Sequence, residues 1–184
     1  MDRYQRALGG MALLAGLLLL PGAAHADEHY TFSVAALGSI GGSLDADPGD
    51  DLGNTGYQLN LAMVTAPLTH LGVRFGRLGL DGNDLFGSLT DADLTYVTVG
   101  GEYRYNETWY DSGIYFALGG YRLEGTATDG RDSRDNSLGL AIGVTSEFKV
   151  NQWLGVLLEL SGHYVDFDEA HIFAMGHGGV AVHF

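Results

Sequence analysis

Glu159, Ser161 and His163 occupy alternate positions of the stretch Glu159-Leu160-Ser161-Gly162-His163. In an extended chain they share one face, with successive Cβ atoms about 7 Å apart by strand rise. A hydroxyl, an imidazole and a carboxylate are the groups that nucleophilic hydrolysis needs: a nucleophile, a base to activate it and an acid to orient the base. His177 and His183 follow in the last segment. With His163 they would titrate near neutrality and could gate a narrow channel, although completing a hydrogen-bond network is the plainer role for them. The acidic run Asp45-Ala46-Asp47-Pro48-Gly49-Asp50-Asp51 suggests a divalent cation. It lacks the Gly at the sixth position and the Glu at the twelfth that a calcium loop uses, which favours a solvated connection. With no cysteine in the chain, disulfides, thiolate metal sites and cysteine nucleophiles are excluded. These patterns assign no catalytic residue, no cofactor site and no metal site.

The chain that must position these groups has 184 residues, 29 of them glycine and 3 proline, with a formal net charge of -14. Such acidity excludes nucleic acid as a partner, because a phosphate backbone requires a basic face. Twenty aromatic residues (Tyr 10, Phe 8, Trp 2) argue for a packed fold rather than disorder. Residues 1–26 read as a cleaved signal peptide: Arg3 and Arg6, an apolar run from Met11 to Leu20, then Ala24-His25-Ala26 as the cleavage site. Their removal takes away Arg3, Arg6 and Asp2, leaving seven basic and 22 acidic residues in a mature domain spanning 27–184. No later stretch is continuously apolar for the length of a membrane helix.

From His29 onward the chain reads as eight β-type segments: 29–42, 57–66, 70–80, 94–106, 112–126, 137–151, 152–167 and 171–184. Several show the period-two alternation of a strand with two different faces. Connections at Gly42–Gly56, Asp81–Asp93 and Ala127–Asn136 are long, whereas those at Pro67–Thr69, Glu107–Asp111, Asn151–Gln152 and Asp168–Ala170 are short. This predicts an up-and-down antiparallel sheet with long connections at one end. Eight such strands close most readily into a barrel, which removes the edges.

The alternation assigns the faces. Val97, Val99, Tyr103 and Tyr105 oppose Thr98, Glu102 and Arg104. Leu138, Leu140, Ile142 and Val144 oppose Thr145, Glu147 and Lys149. Leu154, Val156, Leu158 and Leu160 oppose Glu159, Ser161 and His163. In the segment from Ser112, Arg122 and Glu124 share the parity of Ile114, Phe116 and Leu118, so a bulge at Gly119-Gly120 is expected to turn them to the other side. The minority face then holds Glu102, Glu124, Glu147 and Glu159 against Arg74, Arg104, Arg122 and Lys149. That balance suits a narrow, charged lumen, where an unpaired charge is strongly destabilising. The acid excess falls in the long connections: Asp45, Asp47, Asp50 and Asp51; Asp81, Asp84, Asp91 and Asp93; Asp129, Asp132 and Asp135. Aromatics gather at strand ends, with Tyr30, Tyr103, Tyr105, Trp109, Tyr110, Phe148, Trp153 and Phe184 at the tight-turn rim. Tyr57, Tyr121, Tyr164 and Phe167 are expected at the other, as in the girdles of membrane barrels.

The final strand Val180-Ala181-Val182-His183-Phe184, with apolar residues at every second position and a terminal Phe, resembles the outer-membrane insertion signal of small Gram-negative barrels. Together with the signal peptide, strand count and loop asymmetry, it makes the whole mature chain similar to the OmpA/OmpX-type family. The resemblance implies an all-β, eight-stranded antiparallel up-and-down transmembrane β-barrel in the outer membrane. It implies contact with outer-membrane lipid and lipopolysaccharide, and with the barrel-assembly machinery during insertion. Fold resemblance transmits no particular activity. The sequence favours a structural or surface-interaction barrel with a side-chain-filled polar lumen, its acidic loops offered to an extracellular partner. The alternatives are a lipid A-modifying enzyme of deacylase or acyltransferase type, which the absence of a His-x-Ser-Asn pattern disfavours, and a small narrow channel.

Overall fold

The computed structural model describes residues 31–44, 53–80, 89–127, 130–167 and 171–184. The signal-peptide segment, Tyr30, and Asp45, Asp47, Asp50, Asp51, Asp81, Asp84 and Asp129 lie outside them. Eight strands follow in order: β1 (Phe32–Ser43), β2 (Asn54–Ala66), β3 (Thr69–Leu80), β4 (Leu89–Asn106), β5 (Tyr110–Ala127), β6 (Asp132–Asn151), β7 (Leu154–Val165) and β8 (Ile172–His183). Each pairs antiparallel with its sequence neighbours, and β1 pairs with β8 from Ser33–His183 to Ser43–Phe173, closing the barrel. Beyond that pairing, the Phe184 carbonyl accepts from the amides of Thr31 and Phe32, and the Phe184 amide donates to the Phe32 carbonyl. The tight β2–β3 turn has Pro67 followed by Leu68 at φ 64°, the left-handed conformation that a type II turn demands at its third position and usually gives to glycine.

The period-two pattern decides the faces, as expected. Leu59, Leu61, Val97, Val99, Phe116, Leu118, Leu140, Ile142, Leu158, Val180 and Val182 all point outward and are exposed. Buried polar residues occupy the opposite face of the same strands, including Gln58, Asn60, Arg74, Glu102, Arg104, Glu147, Glu159, His163 and His177. A barrel with an apolar outside and a polar inside inverts the arrangement of a soluble carrier, and it is the order that hydrocarbon imposes.

Four expectations are corrected. No register shift occurs at Gly119-Gly120; β5 pairs without interruption with β6, from Tyr110–Phe148 to Thr126–Asp132. Arg122 and Glu124 therefore keep the parity of Ile114 and Leu118 and lie outside the barrel, not in the lumen. Outward charge is tolerated there because β4, β5 and β6, at 18, 18 and 20 residues, rise well beyond the 12 or 13 residues of the other strands. The same extension absorbs most of Ala127–Asn136, so Asp132 and Asp135, like Asp91 and Asp93, belong to strands rather than connections. Tyr121 and Phe167 are buried inward and form no outer girdle, although Tyr57 and Tyr164 do face out. Finally, the lumen is not polar throughout. Toward the long connections it is closed by an apolar cluster of Leu78, Leu80, Leu94, Tyr96, Tyr121, Leu123, Val165, Phe167, Phe173 and Met175.

Candidate functional site

The inward face below that apolar cluster carries a ladder of alternating charge. On β7, Glu159 accepts hydrogen bonds from Gln58 (3.0 Å) and Asn60 (3.2 Å) of β2, from the Tyr115 hydroxyl of β5 (2.8 Å) and from Nε of Arg74 on β3 (3.3 Å). The other side of Arg74 donates through Nη2 to Glu102 on β4 at 3.0 Å, and its guanidinium lies 3.5 Å from the centroid of the Tyr115 ring. Glu102 also accepts from Nε of Arg104 (3.0 Å) and from the Thr145 hydroxyl (2.7 Å). Arg104 reaches Glu147 on β6 through Nη1 at 3.2 Å, and the second oxygen of Glu147 meets Nε2 of His183 on β8. At the tight-turn mouth, Lys149 pairs with Asp111 at 2.7 Å and donates to the Glu107 carbonyl.

The four-against-four balance expected for the lumen is not met, and its membership differs: three basic side chains face four carboxylates. Arg74, Arg104 and Lys149 face Glu102, Glu147, Glu159 and Asp111, while His183 closes the ladder at its end. Asp111 was hidden from sequence reasoning because it falls beside a tight connection, where parity has no reference strand. The space these side chains need comes from inward glycines. A Cβ on Gly155 would collide with a Glu147 carboxylate oxygen, and one on Gly76 would collide with the Tyr96 ring.

The hydrolase grouping is only partly assembled. Ser161 Oγ lies 2.9 Å from Nε2 of His163 and 3.1 Å from Nε2 of His177, so it can donate to one imidazole and accept from the other. Nδ1 of His163 is 2.9 Å from the Tyr121 hydroxyl, and Nδ1 of His177 is 2.7 Å from Ser39 Oγ. The result is an unbroken chain from Tyr121 through His163, Ser161 and His177 to Ser39. Glu159 does not orient either imidazole; its oxygens are taken by Gln58, Asn60, Tyr115 and Arg74. Shared parity brought Ser161 and His163 together but could not reveal the cross-barrel donors that occupy Glu159. Ser161, His163 and Glu159 are each at most 2% exposed. Among the described residues no cluster of His, Cys, Asp or Glu is arranged to hold a metal ion.

Neither a known protein family nor a curated protein matches the sequence. Solved structures do match the fold. Neisserial surface protein A superposes with a TM-score of 0.63 at 15% identity, covering 89% of this chain and 100% of that one. A major outer-membrane protein of Thermus thermophilus gives 0.62 at 16% identity over 85% of this chain and 100% of its own. The attachment invasion locus protein Ail of Yersinia pestis gives 0.55 at 15% identity, with 84% and 97% covered. The chain thus has the fold of the small eight-stranded outer-membrane β-barrels, and its apolar exterior is the surface that such a barrel turns to lipid.

Proposed function

We propose that this protein is an outer-membrane anchor: a sealed, side-chain-filled barrel that holds its long, acid-rich connections at the cell surface for contact with lipopolysaccharide or an extracellular partner. The observation that carries this reading is the continuous occupation of the lumen, first by the Glu159–Arg74–Glu102–Arg104–Glu147–His183 ladder and then by the apolar cluster around Leu94 and Phe173. An eight-stranded barrel has an interior just wide enough for side chains to fill. Paired charges bonded to one another and capped by apolar residues support a lumen without a continuous water path. Residues 1–26 act in this reading as the export signal, and Phe184 as part of the assembly signal.

The enzyme alternative is weakened by access and orientation together. Ser161 is enclosed among His163, His177 and the lumen wall, and neither imidazole has Glu159 as its partner. The channel alternative is weakened because His163, His177 and His183 are each engaged by lumen side chains. Planar bilayers containing the folded protein test the sealed lumen: silence is expected, and reproducible conductance steps would overturn it. Mass spectra of lipid A from cells with and without the protein test the rest. Unchanged acylation is expected, and a gained or lost acyl chain would install the enzyme and direct attention to Ser161.

A further inference from the structure

Of the seven basic residues beyond residue 26, three face the lumen: Arg74, Arg104 and Lys149. The other four, Arg77, Arg122, Arg131 and Arg134, all lie toward the long-connection end of β3, β5 and the start of β6. The strand registers arrange the outward side chains of this wall in rows. Phe75, Val97, Gly120 and Leu138 pair across β3 to β6 as the last apolar row, with Leu138 81% exposed. The next row outward is Arg77, Thr95, Arg122 and Asn136, and the one beyond it is Gly79, Asp93, Glu124 and Arg134. Within a single residue pair along each strand, the surface passes from hydrocarbon-compatible to charged, with two arginines in the first row and one arginine beside two carboxylates in the second. In the anchor reading above, that border falls where the wall leaves the membrane on the outer side.

The arginines are held but not used up. Arg77 gives Nε and Nη2 to the two oxygens of Asp93, at 3.1 and 2.7 Å. Arg122 gives Nε to Asn136 at 2.9 Å, with Nη1 3.8 Å from Glu124, and Arg134 meets Glu124 through Nε. These contacts orient each guanidinium along the wall and, among the described residues, leave Nη1 of Arg77, Nη2 of Arg122 and both Nη atoms of Arg134 for an outside acceptor. The three side chains are 52%, 52% and 62% exposed. Arg77 and Arg122 are two strands apart on one row, which places their attachment points about 10 Å apart. The planar, forked guanidinium matches phosphate better than any other side chain does. In a chain this acidic, gathering Arg77, Arg122 and Arg134 on two adjacent rows of one wall suits an anion confined to that band.

We propose that the outward face of β3–β6 binds the phosphorylated sugar headgroup of an outer-leaflet glycolipid, with Arg77, Arg122 and Arg134 on its phosphates and the Phe75–Val97–Leu138 row against its acyl chains. The inference rests on the anchor reading above, which sets this row at the membrane border. Asp93 and Glu124 position the guanidiniums.

The test uses the full mature chain folded in detergent, with labelled deep-rough lipopolysaccharide as the probe. The same lipid after dephosphorylation, and phosphatidylglycerol, serve as comparison ligands. The variant R77Q/R122Q/R134Q should bind intact lipopolysaccharide at least about tenfold more weakly, and the loss should shrink in high salt, as expected for exposed charges. Dephosphorylation should weaken wild-type binding to a similar extent. R134Q alone, at the most exposed of the three, should give a partial loss if the triple variant folds poorly. Wild-type-like affinity in folded variants would overturn the proposal, as would equally tight, arginine-dependent binding of phosphatidylglycerol. A wild-type chain that does not insert into membranes would instead refute the anchor reading, so the two failures are separable by the heat-dependent gel shift of the folded barrel.

Discussion

Replacing Arg74 with Met tests whether the lumen is dry. Arg74 is 5% exposed and joins two buried carboxylates, at 3.3 Å from Glu159 and 3.0 Å from Glu102, with the Tyr115 ring beneath it. The substitution keeps the unbranched stem and much of the volume, so packing loss is small. What changes is charge. Glu102 retains Arg104 and Thr145, whereas Glu159 is left with the neutral donors Gln58, Asn60 and Tyr115 and no cation. Removing one partner of a buried pair costs about 3 to 5 kcal/mol, against roughly 0.2 to 1 kcal/mol for a pair in water. With a urea slope of about 2 kcal/mol per molar, the unfolding midpoint in lipid vesicles should fall by roughly 1.5 to 2.5 M. Fluorescence of Trp109 and Trp153, both exposed at the tight-turn rim, would report it. Adding Glu159→Gln should restore much of the loss by removing the orphaned charge. A single variant within about 1 kcal/mol of wild type would refute the reasoning, because it would mean that water screens the ladder.

Two further outcomes follow from the outer face and the seam. Leu158 points into the apolar belt between Val156 and Leu160, and Leu158→Arg should destabilise by roughly 2 to 4 kcal/mol in lipid vesicles; a silent substitution would contradict the face assignment. Deleting Phe184 removes its backbone hydrogen bonds with Thr31 and Phe32 at the β1–β8 closure. Folded protein recovered from the outer membrane should drop sharply, and undiminished levels would count against a role for this residue in assembly.

Much of the barrel was legible in the residues because strand parity is local. A side chain's face follows from its neighbours two positions away, so the outward Val97, Leu140 and Leu158 and the inward Glu102, Glu147 and Glu159 needed no tertiary information. Eight such segments with tight and long connections in turn leave closure as the solution without exposed edges. Parity could also have kept Arg122 and Glu124 outside; the expected bulge arose from assuming that every outward position meets lipid. Strand height decides that point. It depends on how far β4, β5 and β6 continue to pair beyond their neighbours, which no single strand encodes.

The partners inside the lumen lay beyond sequence for a different reason. Gln58 is 101 residues from Glu159, and Ser39 is 138 from His177. Which inward side chains meet across the barrel depends on the stagger of all eight strands at closure, a property of the whole sheet. The sequence by itself therefore determined that this chain makes a barrel with an apolar outside and charges within. Only the tertiary structure decided that Glu159 belongs to Arg74 rather than to His163, that apolar residues close the upper lumen, and that the outward arginines gather on one wall.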